Sequence, residues 1–296
     1  LPELPAGPRA APSVSLAEPS AVRQIARSQT GESEIFPSIV ADPAVLLPFI
    51  AIGFAAQMVD GALGMAFGQI SSTLLISMGV PPAAASAGVH TAETFTTAVS
   101  GISHVAHRNV DWRLFVRIVI PGVIGGIAGA YLLTEFKDAP WIKPVVLAYL
   151  SSLGLYLFYR GVMHRHTERR PKVVAPLGIV GGFLDAAGGG GWGAIVTSNL
   201  LVQGSNPRKT IGTVNTAEFF LTITISGTFL ASLTYAGDQE SLDLLVRATV
   251  GLVIGGVLAA PFGAMIAKRV NPDTLLTFVG AVMTVTSGYA LYRLFA

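Results

Sequence analysis

Apolar residues run through this chain in long blocks, without the alternation of a half-buried strand. Eight blocks follow residue 42: 44–79, 83–106, 114–133 and 141–159, then 173–203, 208–235, 244–266 and 273–292. Most hold about 20 residues, enough to cross a hydrocarbon layer ~30 Å thick as a helix. The pattern predicts an all-α polytopic membrane protein.

The opening block of each set of four departs from this. At 1.5 Å per residue, 44–79 would make a straight helix of ~54 Å, well beyond the bilayer core. Gly61, Gly64 and Gly68 interrupt it, and Gly188, Gly189, Gly190 and Gly191 interrupt 173–203. Four consecutive glycines cost about 1 kcal/mol each in a helix interior. Each opening block therefore reads as two half-helices meeting at a break, either as one discontinuous span or as a re-entrant hairpin.

The two sets are copies. Asp60 returns as Asp185, 125 residues later, as do Gly64 as Gly189, Gly68 as Gly193, Gly79 as Gly204 and Pro82 as Pro207. Thr91-Ala92-Glu93-Thr94-Phe95 returns as Thr216-Ala217-Glu218-Phe219-Phe220. Beyond the motif the offset grows to 130, with Arg117 matching Arg247. The expected organisation is a tail outside the membrane over 1–42, a first repeat over 43–165 and a second over 166–296, the two repeats forming one membrane domain.

Composition agrees. Of 296 residues 51% are hydrophobic and 12% charged, against about 25% charged in an average soluble domain. With no cysteine, disulfides, thiolate catalysis and cysteine metal sites are excluded. A net charge of +2 gives no argument for nucleic acid. The tail is rich in Pro, Ala, Ser and Glu and reads as mobile.

Charge placement orients the blocks. Arg160, Arg165, Arg169, Arg170 and Lys172 mark a cytoplasmic loop. If 173–203 enters and returns, Arg208-Lys209 and Lys268-Arg269 also fall inside, and the acidic loop with Asp238, Glu240 and Asp243 falls outside. If it crosses, both basic pairs fall outside. The re-entrant arrangement obeys the positive-inside rule. Each copy then makes three full crossings, an odd number, so the copies lie inverted in the membrane.

Chemistry concentrates at the breaks. A half-helix starting there points unpaired N–H groups into the protein, a setting that favours an anion. Asp60 and Asp185 stand just before the breaks and suit Asx-type caps. Glu93 and Glu218 lie mid-block, where a charge costs roughly 2.5–3.5 kcal/mol even on the lenient insertion scale. They read either as a substrate or proton site or as hydrogen-bond clamps; His90 and Thr94, and Asn215 and Thr222, are their polar neighbours. Gln57 matches Gly182 and adds a donor on one side only. Arg117 and Arg247 read as snorkelling residues. Gly125-Gly126 and Gly255-Gly256 read as helix-packing residues. His104 and His107 are not expected to hold a metal. No GxSxG, HExxH or P-loop pattern gives an enzyme a foothold.

The Gly178–Gly191 run, Gly212-Thr213-Val214-Asn215-Thr216-Ala217-Glu218, and Ser100-Gly101-Ile102-Ser103-His104 before Asn109-Val110-Asp111 resemble the TauE/SafE family of sulfite and organosulfonate exporters, the 4-toluene sulfonate uptake permease group. The resemblance covers about 44–296. It implies a multi-pass carrier of the cell inner membrane for small sulfur-containing anions, with no cofactor. Leu63, Met65, Ala66 and Phe67 replace the family's glycine run in the first copy, which favours the second copy as the anion site. The expected substrate-binding set is Gly188, Gly189, Gly190, Gly191, Trp192, Asn215 and Thr216, with Gly64, Gly68, His90 and Thr91 from the first copy. Glu93, Glu218, Asp60 and Asp185 are the coupling or structural carboxylates. The alternative is a proton- or cation-coupled antiporter with Glu93 and Glu218 as ion ligands. The expected partners are the anion, the bilayer and, in a homodimer, a second copy.

Overall fold

The computed structural model describes residues 43–296 apart from 64, 164–171, 204, 270 and 271. The expected tail, Gly64 and the boundary between the repeats lie outside the described residues. All regular structure among the described residues is helical. After a 3-10 turn over Pro43–Leu46, the first copy holds α1 (Leu47–Leu63), α2 (Phe67–Ser77), α3 (Pro82–Ala106), α4 (Trp112–Glu135) and α5 (Ile142–Val162). The second holds α6 (Ala175–Gly188), a π-helical turn (Gly193–Thr197) running into α7 (Ser198–Val202), then α8 (Pro207–Tyr235), α9 (Gln239–Arg269) and α10 (Pro272–Phe295).

Local sequence explains the boundaries. Pro82 and Pro207 open α3 and α8 at the first helical position, where a missing N–H costs nothing. The Asn206 side chain accepts from the Lys209 N–H, and Asp111 accepts from Arg113 and Leu114, capping α8 and α4. Gly189 closes α6 in the left-handed conformation, φ 73°.

The packing exchanges partners between copies. α1 lies on α9 and α6 on α4, while α3 packs on α8 and α5 on α10. Glycine makes the first two contacts close: a Cβ on Gly125 would stand 2.1 Å from the Ile179 carbonyl oxygen, and one on Gly255 2.1 Å from that of Ile50. The outward face of α4 is apolar too, with Val116, Ile120, Ile124, Ile127 and Tyr131 exposed at helical spacing. A helix apolar on both faces needs lipid on the outer one.

Among the described residues, four helices are long and apolar enough to cross a membrane: α4, α5, most of α8 and the first two-thirds of α9. The sequence reading expects six such crossings. α3, with 25 residues, has the length but not the apolarity, while α10, with 24, carries an apolar stretch over 274–291 free of Asp, Glu, Lys and Arg. In α3 the dilution comes from His90, Glu93, Thr96, Thr97 and Ser100, which face other helices rather than lipid.

Three sets of polar contacts tie the loops together. Lys137, after α4, pairs with Asp238, after α8. Arg208 donates to the Asn109 side chain at 2.7 Å and Lys209 to the Arg108 carbonyl at 2.7 Å, joining the α3–α4 loop to the start of α8. The Gln203 side chain accepts from the Lys172 and Val173 N–H groups at 2.9 and 3.0 Å. The two ends of the second broken block therefore meet, as in a hairpin.

Candidate functional site

Each break is spanned by its own aspartate. In the first copy, the Ala66 and Phe67 N–H groups, which start α2, donate to Asp60 Oδ1 at 3.0 and 3.3 Å. In the second, the Trp192 N–H donates to Asp185 Oδ1 at 2.7 Å. Asp60 and Asp185 thus satisfy N–H groups that a helix start leaves unpaired. The second break turns through Gly189 and Gly190, at φ 73° and 140°, conformations that favour residues without Cβ. The Ser72 hydroxyl donates to the Gly189 carbonyl, and Tyr149 to that of Gly190 at 3.3 Å. Through the Ser72 contact the two broken blocks hold each other, and Tyr149 braces the second break from α5.

Beside their crossing lies a cavity of about 280 Å³. Met65, Ala66 and Phe67 line it from the first break, and Gly191 and Gly193 from the second. α3 contributes Glu93, Thr96, Thr97, Ser100 and His104, spaced along one helical face. α8 contributes Ile211, Asn215 and Glu218, and the first broken block adds Gln57, Asp60 and Gln69. Three carboxylates therefore share one small space, and among the described residues no Lys or Arg lines it.

The lining is partly fixed by internal bonds. Thr96 and Thr97 both donate to the Glu93 carbonyl, at 3.2 and 2.6 Å. Asn215 donates to the Ser100 hydroxyl at 3.3 Å. The Glu93 carboxylate takes the Gly68 N–H, and a Cβ on Gly68 would stand 2.7 Å from its Oε1. The groups left to meet a small solute are the Gln57 and Gln69 amides, the Ser100 hydroxyl, the His104 ring and the carboxyls themselves.

Of the residues expected from sequence, the cavity gathers Glu93, Glu218, Asp60, Asn215 and Gly191. Several others lie elsewhere. Trp192 is fully buried, its indole donating to the Val214 carbonyl at 3.2 Å. Thr91 and Thr216 turn back to the carbonyls of Ala87 and Gly212, both at 2.7 Å. Gly188 packs against the Tyr149 ring, and Gly68, Gly189 and Gly190 make the crossing of the breaks. His90 faces Asp185, at 3.1 Å, and not Glu93. Sequence reasoning missed Gln69, Thr96, Thr97 and Ser100 as lining residues. Their signal was present: the last three follow Glu93 at three-, four- and seven-residue spacing, and Gln69 is an apolar-block amide beside the break.

A family profile described as sulfite exporter TauE/SafE matches residues 49–290. The chain belongs to the TauE/SafE family. The match spans both copies, both breaks and every residue that lines the cavity. Among similar proteins is the probable membrane transporter protein YtnM of Bacillus subtilis (strain 168), 38% identical over 254 residues, which covers 83% of this chain and 82% of the relative. No solved structure matches the chain. Membership of this family makes the protein a membrane transporter.

Proposed function

We propose that this TauE/SafE protein exports small sulfur-containing anions, such as sulfite or organosulfonates, through the inner membrane. The anion binds in the cavity between the two half-helix starts. The observation that carries this reading is the convergence of both copies on one polar space inside an otherwise apolar bundle. That space is small and partly enclosed, as a site for a small solute must be. The Gln57, Gln69 and Ser100 donors supply neutral hydrogen bonds there, while the glycines serve the crossing that shapes the site.

The copies lie inverted in the membrane. This reading is supported by the ion pair between Lys137 and Asp238, which joins the ends of α4 and α8 as helix ends on one side would be joined. The bonds of Arg208 and Lys209 to the α3–α4 loop join the end of α3 to the start of α8, in keeping with a shared position on the other side. α3 and its copy α8 then run in opposite directions. The side with Arg108, Arg113, Arg208 and Lys209 is cytoplasmic by the positive-inside rule, and the cavity lies near it through His104 and Ile211.

Export suits the energetics. One charge moved through 100 mV is worth about 2.3 kcal/mol, so a dianion leaving a negative interior gains about 4.6 kcal/mol. That sustains a gradient on the order of a thousandfold without a coupled ion. A second reading, coupling to protons or cations through Glu93 and Glu218, is favoured by one observation: both glutamates line the cavity with Asp60. Flux of labelled sulfite in proteoliposomes separates the two. Flux that follows an imposed potential supports uncoupled export, and flux that ignores potential but tracks a proton gradient supports coupling.

A further inference from the structure

The cavity is open among residues whose repeat counterparts are sealed. Ser100, His104, Ile211 and Asn215 line it. Their partners 125 residues away are Ile225, Phe229, Ser86 and His90, all fully buried. Two contacts close that side. The Ser86 hydroxyl donates to the Ala186 carbonyl at 2.6 Å, and His90 Nε2 lies 3.1 Å from Asp185 Oδ2.

The His90 ring is caught between two acceptors. Its Nδ1 lies 2.7 Å from the Ser86 carbonyl oxygen, which can only accept, so Nδ1 carries a hydrogen. A neutral ring then has a bare Nε2, and its lone pair would face the Asp185 carboxylate at 3.1 Å. Only a further proton, on Nε2 or on Asp185, makes that contact attractive. Asp185 Oδ1 gives no alternative, because it already accepts from Trp192.

We propose that His90 and Asp185 form a proton-holding latch. With its proton the pair keeps the side remote from the cavity shut; without it, lone pair faces carboxylate and the two copies separate there. Tyr149 on α5, Glu93 on α3 and Glu218 on α8 are the titratable groups in electrostatic reach of Asp185. The counterparts in the other copy, Asn215 and Asp60, form no such device, since an amide donates to a carboxylate without an added proton. Opening of the side remote from the cavity is thus pH-dependent, without a proton having to cross the membrane with the anion. The gating role rests on the transport function proposed above, whereas the proton does not.

Two measurements test this separately. Ring ¹⁵N spectra, with the signal identified through His90→Ala, should show two N–H nitrogens near neutral pH; failing that, a carboxylic C=O infrared band should vanish in Asp185→Asn. A ring with one bare nitrogen beside an ionised Asp185 overturns the proton.

The chain has no cysteine, so Ile225→Cys supplies a single thiol for a membrane-impermeant reagent, normalised to the same chain unfolded. Labelling from the side remote from the cavity should rise with pH in Ile225→Cys alone. Adding His90→Ala should raise it at every pH. Adding Asp185→Asn, whose amide can donate to bare Nε2, should keep the thiol sealed and remove the pH dependence. Effects of the same sign in both variants overturn the latch. If His90→Ala fails to fold, Asp185→Asn decides alone, and retained pH dependence overturns it.

Discussion

Gly68 and Gly190 meet backbone to backbone where the two broken blocks cross. A Cβ on Gly190 would stand 2.4 Å from the carbonyl carbon of Gly68, and one on Gly68 would stand 3.0 Å from the Gly190 Cα. Neither neighbour is a side-chain end that can swing away.

Gly190→Ala should therefore be the more damaging change, since it adds the clash at a φ of 140°. Overpacking of this kind costs about 1–3 kcal/mol, and the left-handed backbone adds to it. Gly227→Ala is the control, having nothing within 4 Å of its Cβ; a helix-interior Gly→Ala there should be neutral or stabilise by up to about 1 kcal/mol. Thermal unfolding in detergent compares the three.

Asp60 holds the start of α2 through the Ala66 and Phe67 N–H groups. Asp60→Ala should cost about 0.5–2 kcal/mol, the range for lost helix caps, while Asp60→Asn keeps an acceptor and should cost less. The same unfolding measurement distinguishes them. Equal losses would show that charge, not capping, is what Asp60 supplies.

The Lys137–Asp238 pair links the two copies outside the spanning segments. Its hydrogen bond to Asp238 holds the Lys137 ammonium above the usual lysine range. Burial pushes the Asp238 carboxyl up, but the bonds from Lys137 and the Ser241 N–H bring it below the usual range. Asp238, being depressed, contributes stability above the ordinary carboxylate pKa and loses it as pH falls through its own. Lys137, being raised, contributes below the ordinary lysine pKa and loses it as pH rises through its own. Asp238→Asn should remove a contribution of about 1 kcal/mol or less between those limits and leave stability unchanged at very low pH. Unfolding curves across pH check the window.

Much of this was legible in the sequence, for physical reasons. Block lengths follow from bilayer thickness, and the breaks follow from glycine cost. The duplication follows from residue identities alone. Side-chain direction was less legible. His90 and Glu93 stand three residues apart, so they diverge by about 60° around the helix, enough to send one to Asp185 and the other to the cavity. Gly68 reads as part of the turn, yet it lies inside α2, because its role is close approach rather than φ. The glycine run reads as a ligand cradle, whereas Gly188, Gly189 and Gly190 pack on Tyr149, Ser72 and Gly68. What these glycines touch is set by partners far along the chain, on other helices, which no local pattern reveals.

Glu218, when ionised, brings negative charge to a cavity proposed to take an anion. Two like charges ~4 Å apart repel by about 1 kcal/mol even at the dielectric constant of water. Glu218→Gln should therefore tighten sulfite binding about fivefold or more, measured by titration in detergent. Weaker binding would mean that Glu218 acts as a protonated donor, and would favour the coupled reading.

The central claim is that the cavity beside the crossed breaks is the anion site, and a thermal-shift panel with a blocked variant tests it most directly. A ligand that binds only the folded state stabilises it by RT ln(1 + [L]/Kd), about 2.7 kcal/mol at 100 Kd. Sulfite and small sulfonates should stabilise the parent protein, and Na⁺ and Ca²⁺ should not. Ser100→Trp, which fills the cavity from α3, should fold but lose the shift. An undiminished anion shift in Ser100→Trp, or stabilisation by cations alone, would contradict the account.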